Sequence, residues 1–154
     1  MKKWGWMEAA AASLLIGFLV LLTVRYGQLP DEVPVHFNFA GDADSQGPKY
    51  LLWVVAGLMV LLYAALTYLA RKPEWFNYPV EITEQNRAYQ TQNLVLLVNR
   101  MKLAIVAAVG LPILQSTNLA LGLPSGFFPS SMLALVGLLL GLVIYHLFRA
   151  FRLA

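Results

Sequence analysis

The sequence contains no cysteine, and only 12% of its 154 residues are charged. Without cysteine, the chain can form no disulfide, no thiolate metal site and no cysteine nucleophile. A soluble domain carries about 25% charged residues, and at this length it leaves roughly a third of its chain surface in water. Because 59% of the residues are hydrophobic and the mean hydropathy is +0.64, the composition excludes an ordinary soluble domain and favours a membrane protein.

Four apolar runs are long enough to cross a membrane, since about 20 apolar residues span a hydrocarbon core of about 30 Å. We predict an all-α fold, a bundle of four transmembrane helices in a single domain, 1–154. The predicted spans are about 7–24, 50–70, 101–121 and 131–148. They leave one structured extracytoplasmic loop, 26–49, and one cytoplasmic segment, 71–100.

The third span has two possible registers. A span over 94–114 places Arg100 and Lys102 in hydrocarbon, at a cost of roughly 3 kcal/mol each. A span over 101–121 lets both cations snorkel to the cytoplasmic surface, and we prefer it. This register buries the polar run 115–118 (Gln-Ser-Thr-Asn) in the outer half of the membrane. Gly110 and Pro112 predict a kink just below that run.

The segment before the third span predicts a helix that projects into the cytoplasm. Thr83 is the expected N-cap, and the helix is expected to begin at Glu84. Its polar face, which includes Gln90, is predicted to be solvated. In the fourth span, Gly137 and Gly141 form a small-xxx-small pattern that favours packing inside the bundle over dimerisation.

Basic residues are distributed unevenly along the chain. Nine of the eleven lie on the side of the two termini, Lys2 and Lys3 among them, and only Arg25 and Lys49 lie on the other side. Because basic loops remain in the cytoplasm, we predict an inner-membrane protein with both termini cytoplasmic. The same positions explain the net charge of +3 through contact with the lipid bilayer, without a nucleic-acid partner. We expect no acidic residue inside a span, which argues against a transporter.

The outer loop has the period of a β-strand. One face is apolar, and the other presents His36 and Asn38 side by side. We expect residues 41–47 to form a turn-rich stretch and Pro48 to start the second helix. The apolar face consists of Val33, Val35, Phe37 and Phe39.

The loop also carries a long signature. Leu29-Pro-Asp-Glu-Val-Pro-Val-His-Phe-Asn-Phe-Ala-Gly41, followed by Asp44, Gly47 and Lys49, resembles the pattern LPxxxPxHFNxxGxxDxxGxK. That pattern is typical of a bacterial and archaeal membrane domain of unknown function, which also forms the N-terminal part of SdpI-type immunity proteins. The run 77–86 looks like stand-alone members of the same family. The resemblance implies a role in immunity to a secreted toxic peptide or in sequestering a repressor at the membrane.

We predict that the polar residues of the loop converge above the outer end of the third helix and bind an extracytoplasmic peptide or envelope ligand. For His36, the alternatives are a metal ligand, a pH-responsive group, a catalytic base, or a structural hydrogen bond that fixes the loop to Asp44 or to the top of the bundle. The run 115–118 could hold the third helix to its neighbours, or it could form the floor of a pocket under the loop. A hydrolase using His36 and a structural subunit of a membrane complex stay open as functions. No catalytic residue, metal or cofactor is predicted. The predicted ligand-binding residues are His36, Asn38, Asp44, Lys49, Gln115 and Asn118. His146, near the end of the fourth helix, is explained by an interfacial position.

Overall fold

The structure, a computed structural model, describes residues 5–38, 40–125 and 128–152. Lys2, Lys3 and Phe39 lie outside the described residues. The described part contains four α-helices, all long and apolar enough to cross a membrane. This confirms the four predicted helices and fits a multi-pass membrane protein. The elements are α1 (Gly5–Tyr26), β1 (Glu32–Phe37), β2 (Ala43–Pro48), α2 (Leu51–Ala70), a 3₁₀ turn (Pro73–Trp75), α3 (Arg87–Ala120) and α4 (Phe128–Arg152).

α3 is the central helix, since α1, α2 and α4 all pack against it. Glu8 of α1, Thr67 of α2 and Lys102 of α3 meet at one level of the bundle. Arg25, at the other end of α1, bonds Asn118, near the end of α3. α1 and α3 therefore run in one direction, and α2 and α4 run back. We call the end that holds the start of α1 and the end of α4 the terminal end, and the opposite end the hairpin end.

The apolar core lies between α1, α2 and α3. Leu22, Met59 and Ile113 contribute one fully buried side chain from each helix. The approach of α1 to α3 is closest at Gly110, where an added Cβ atom would overlap the ring of Phe18. Glycine is required there because any larger residue would push the two helices apart.

The outer faces of the helices are apolar. Val24, Leu133 and Ile144 are each about two-thirds exposed, at 66%, 67% and 66%. Large aliphatic side chains on several outward faces suit a lipid environment. Gly137 and Gly141 also face open space, because a Cβ atom built at either position meets nothing within 4 Å. The prediction that this pair packs inside the bundle is therefore wrong for the described residues.

The start of α3 differs from the prediction. The regular helix begins at Arg87, and residues 84–86 form a turn ahead of it. Thr83 still acts as a cap of that turn, because its Oγ1 accepts a hydrogen bond from the Asn86 backbone N–H at 3.2 Å. Gln90 is only 1% exposed, and its Nε2 donates to the Ala150 carbonyl at 3.0 Å. The prediction that Gln90 is solvated is wrong, because α4 covers this residue, whereas Glu84, Arg87 and Gln92 of the same polar face are exposed.

Lys102 does not reach the surface, so the prediction that it snorkels is wrong. Its side chain is fully buried and paired with the Glu8 carboxylate. Lys102 Nζ also donates to Thr67 Oγ1 at 3.1 Å, and Tyr63 OH donates to Glu8 Oε1 at 2.5 Å. Glu8 lies inside α1 and inside the first predicted span, so the expectation of no acidic residue there is wrong as well. A carboxylate at the same level outweighs snorkelling because it gives the buried cation a charged partner.

The outer loop is an antiparallel β-hairpin. β1 confirms the predicted strand, but the stretch predicted as turns contains β2, and Pro48 ends that strand instead of starting α2. Irregular register on both sides of His36 breaks the predicted alternation. As a result Pro34 is buried together with Val33, whereas Val35 is 36% exposed.

Candidate binding site at the hairpin end

His36 and Asp44 form a pair across the hairpin. His36 Nδ1 and Asp44 Oδ1 are 2.5 Å apart, and the two side chains are 71% and 42% exposed. Ion pairs with this exposure contribute about 0–1 kcal/mol to stability. The structure therefore contains the hydrogen bond to Asp44 that was one of the four alternatives for His36, and it places the imidazole on the outer surface of the hairpin.

Asn38 holds the hairpin turn. Its Oδ1 accepts hydrogen bonds from the backbone N–H groups of Ala40 and Asp42, at 2.9 and 3.0 Å. Gly41 takes φ of 87°, a conformation that side chains disfavour. The Asn38 side chain thus substitutes for backbone hydrogen bonds in the turn. This bonding leaves its amide nitrogen as the group available for another contact.

Lys49 lies at the base of the hairpin. Its Nζ donates to the Leu29 carbonyl at 3.1 Å and lies 3.3 Å from the Asp31 carboxylate. It is also 5.5 Å from the centre of the Tyr26 ring. These contacts tie the start of α2 to the loop that follows α1. They place Lys49 in a separate set of contacts from the His36–Asp44 pair.

The polar run of α3 has three members whose side chains have protein partners at normal distance. Ser116 Oγ donates to the buried Pro34 carbonyl at 2.6 Å, which fixes β1 on α3. Arg25 Nη1 donates to Thr117 Oγ1 at 3.0 Å and to Asn118 Oδ1 at 2.6 Å. Polar groups at membrane depth need such partners. These three residues therefore tie the helices and the hairpin together.

Gln115 is different. It is 4% exposed, its Nε2 lies 3.4 Å from the Gly41 carbonyl, and its Oε1 is buried without a hydrogen-bond partner in the described residues. A buried polar atom left in this state costs about 1–3 kcal/mol. Nearly all buried polar atoms in proteins have a partner in the protein or in ordered water, so an exception points to a group that a water or a ligand can satisfy.

Gln115 borders a cavity of about 380 Å³ between the hairpin and α3, which we call the hairpin cavity. This volume lies in the range typical of small-molecule and peptide-side-chain sites. Asp42, Gln46 and Ser125 supply further polar groups to the wall. The other lining residues are Pro34, Ala40, Gly41, Ala43 and Leu119.

The six predicted site residues do not meet in one place. Gln115 alone among them lines the hairpin cavity, while His36 and Asp44 pair with each other on the outer surface. Asn38 does not line the cavity itself, but it holds the turn that does. Asn118 accepts a hydrogen bond from Arg25 instead. Their bonds to other partners explain this, because each of these side chains already has a partner close by.

The sequence did not predict that Arg25 bonds the polar run of α3. It also did not predict that Asp42, Gln46 and Ser125 line the cavity. A signal for Arg25 exists, because a polar run buried in α3 needs donors and Arg25 is one of two cations on that side. Wall residues of β2 carry no such signal, since their composition is typical of turns. In the described part of the chain, no three His, Asp or Glu side chains are grouped so that they could hold a metal ion.

One protein-family model matches the chain. It covers residues 13–60, from the middle of α1 to the middle of α2, and its description is a domain of unknown function, DUF1648. The matched segment contains the whole hairpin. Neither the curated proteins nor the solved structures contain a significant match. The segment 13–60 is thus similar to a family defined by its sequence and without an assigned activity.

Proposed function

We propose that this protein binds an extracytoplasmic peptide or envelope ligand in the hairpin cavity, in an SdpI-like immunity or sensing role. In this proposal the four helices span the cell membrane, both termini are cytoplasmic and the hairpin end faces outward. The uneven distribution of basic residues supports this orientation. Arg71, Arg87 and Arg149 lie at the terminal end, whereas Arg25 and Lys49 lie at the hairpin end.

The observation that carries the proposal is the unpartnered Oε1 of Gln115 at the edge of the hairpin cavity. The next three residues of the run, 116–118, all have hydrogen-bond partners within the protein. Gln115 Oε1 therefore differs from its neighbours. A ligand N–H or O–H group would complete the hydrogen bonding of Gln115. Binding sites typically combine an apolar lining with a few polar groups that orient the ligand.

The chemistry of the wall favours a ligand that donates hydrogen bonds. Gln115 Oε1, the Asp42 carboxylate and the Gly41 carbonyl are all acceptors, and Gln46 can donate or accept. A peptide supplies a series of backbone N–H groups, and an amine supplies a charged donor that Asp42 would attract. The acceptor set therefore supports a peptide or an amine-bearing envelope component over an anionic ligand.

Photo-cross-linking in cells tests this proposal. A photoreactive amino acid at Ala43, which lines the cavity, should cross-link a peptide or envelope component. The same amino acid at Ser45, exposed on the same strand but outside the cavity wall, is the matched control and should not. Gln115→Leu should remove the adduct at Ala43. Equal adducts at Ala43 and Ser45, or only lipid adducts, would overturn the proposal.

A second candidate function, a hydrolase, is favoured by one observation. The 2.5 Å contact between His36 and Asp44 is the arrangement in which a carboxylate orients a histidine that acts as a general base. A water activated by His36 would have to attack a substrate lying on the exposed face of the hairpin. The contact is compatible with this chemistry, but it serves equally as a surface bond within the hairpin.

The two functions respond differently to His36→Ala. A hydrolase should lose hydrolytic activity by about 100-fold or more, the usual contribution of a general base. A binding protein should keep its Ala43 adduct and lose at most about 1 kcal/mol of stability. Turnover of an envelope extract by the purified protein, measured with Asp44→Asn as the companion variant, decides between them. Loss of turnover in both variants would replace the binding proposal with the enzyme.

A further inference from the structure

Two arginines converge on one aromatic ring near the terminal end of the bundle. The guanidinium carbons of Arg100 in α3 and Arg149 in α4 each lie 5.8 Å from the centre of the Tyr145 ring. Arg100 lies just before the third predicted span, and Arg149 just after the fourth. Both cations are therefore placed at the edge of the apolar part of the bundle, on the α3–α4 face.

Among the described residues, the contacts of the two guanidinium groups bring no negative charge. Arg100 Nη1 lies 3.3 Å from His146 Nε2, and Arg149 Nε donates to Tyr89 OH at 2.9 Å. The ion pairs found in the described residues all involve other side chains. Each guanidinium carries five N–H donors, so most of the donors of this pair stay available for an anionic acceptor.

Arg100 is held in this position by the helix pair. His146, predicted from the sequence to be interfacial, is 2% exposed because it packs against α3, and it bonds Asn93 through its ring and its backbone carbonyl. Asn93 lies seven residues before Arg100, or about 10 Å along α3. The Arg100 side chain thus reaches back along the helix towards the terminal end, as a snorkelling cation does.

Two exposed aromatic side chains lie on α4 within four residues of Arg149. Tyr145, which both guanidinium groups approach, is 49% exposed, and Phe148 is 66% exposed. Two guanidinium groups without a carboxylate partner in the described part of the chain, beside exposed aromatic rings, match both parts of a phospholipid, the phosphate and the first acyl carbons. A free phosphate ion would use only the arginines and gain nothing from the rings.

We propose that Arg100 and Arg149, which both approach the Tyr145 ring, form a binding site for the phosphate of an anionic phospholipid. Planar guanidinium groups bind phosphate oxygens in a bidentate way. Basic pockets between helices at the membrane surface are typical sites for anionic headgroups. This inference rests on the proposed membrane placement of the helices and is independent of the ligand proposed for the hairpin cavity.

Native mass spectrometry of the full chain in detergent tests the site. Phosphatidylglycerol and phosphatidylcholine with the same acyl chains are added separately, and the lipid retained per protein is counted. We expect the wild type to prefer phosphatidylglycerol. Arg100→Gln with Arg149→Gln should lower the preference by about 25-fold, since each arginine near an anionic surface contributes about fivefold. Arg71→Gln, which removes a charge at the same end, should leave it unchanged.

Three results would overturn the site: no preference in the wild type, an unchanged preference in the double variant, or an equal loss in Arg71→Gln. Displacement of phosphatidylglycerol by inorganic phosphate would assign the arginines to a soluble anion and also overturn it. If the double variant does not fold, Arg100→Lys with Arg149→Lys should give a smaller loss, because charge remains without the bidentate geometry. The Ala43 adduct should survive in all these variants, which separates this test from the test of the hairpin cavity.

Discussion

Two of the buried polar regions of α3 differ in how completely they are satisfied. At the level of Lys102, four side chains from three helices (Glu8, Tyr63, Thr67 and Lys102) bond one another. At Gln115, about 20 Å further along the helix, a cavity remains and one carbonyl oxygen is unpartnered. Buried polar residues therefore have two roles in this bundle. The cluster around Lys102, which we call the closed cluster, holds the helices together, whereas Gln115 at the hairpin cavity is available to a ligand.

The charged cluster gives the largest expected effect. Lys102→Met should lower the free energy of unfolding by about 3 kcal/mol, because it leaves the Glu8 carboxylate without its cation. The value is at the low end for a buried pair because the Glu8 side chain is 38% exposed. Unfolding of the detergent-purified protein by SDS measures the change.

The control for Lys102→Met is the double variant with Glu8→Gln. It removes both charges and should recover much of the loss. A single variant that loses less than about 1 kcal/mol would contradict the closed cluster, and it would remove the contrast with the hairpin cavity.

Gly110, which lies between the two polar regions, tests how closely α1 and α3 pack. Gly110→Ala should cost about 1–3 kcal/mol, the usual effect of overpacking, because the new Cβ atom overlaps the Phe18 ring. Gly57→Ala in α2 is the matched control, since a Cβ atom there meets nothing within 4 Å. Helix propensity predicts that it is neutral or stabilising by up to about 1 kcal/mol. Equal effects at the two glycines would contradict the close approach of α1 to α3.

A substitution at Ser116 tests the hydrogen bond that fixes β1 on α3. Ser116→Ala should cost about 1–2 kcal/mol, because it leaves the buried Pro34 carbonyl without its donor. Thr23→Ala is the control, since Thr23 Oγ1 donates to the Leu19 carbonyl on an exposed surface. It should change stability by less than about 0.5 kcal/mol. A Ser116 variant as stable as the Thr23 variant would mean that the hairpin is held by other contacts.

Local patterns in the sequence predicted the four helices and the strand character of residues 33–37. Hydrophobic run length and period 2 are visible within a short window. The partner of Lys102 could not be predicted, because Glu8 lies 94 positions away and only the packing of α1 on α3 brings them together. β2 was missed for another reason, since Asp44, Ser45 and Gly47 have the composition of a turn.

The candidate site was predicted only in part. Gln115 was named because a polar residue in an apolar run needs a partner, and the structure places it at the cavity edge. Lys49 and Asn118 were also named, but their side chains bond the adjacent loops and Arg25. Which polar residues stay unsatisfied depends on where each neighbouring backbone carbonyl lies, and a sequence pattern does not contain that information.

The most direct test of the central claim is the free energy of unfolding of Gln115→Leu, measured beside the Ala43 adduct in the same variant. Leucine has a similar volume and no unpartnered oxygen. We therefore expect stability within about 0.5 kcal/mol of the wild type, or higher, together with loss of the adduct. A stability loss of about 1–2 kcal/mol, as for Ser116→Ala, with the adduct retained would contradict the account, because Gln115 would then hold the fold and bind no ligand.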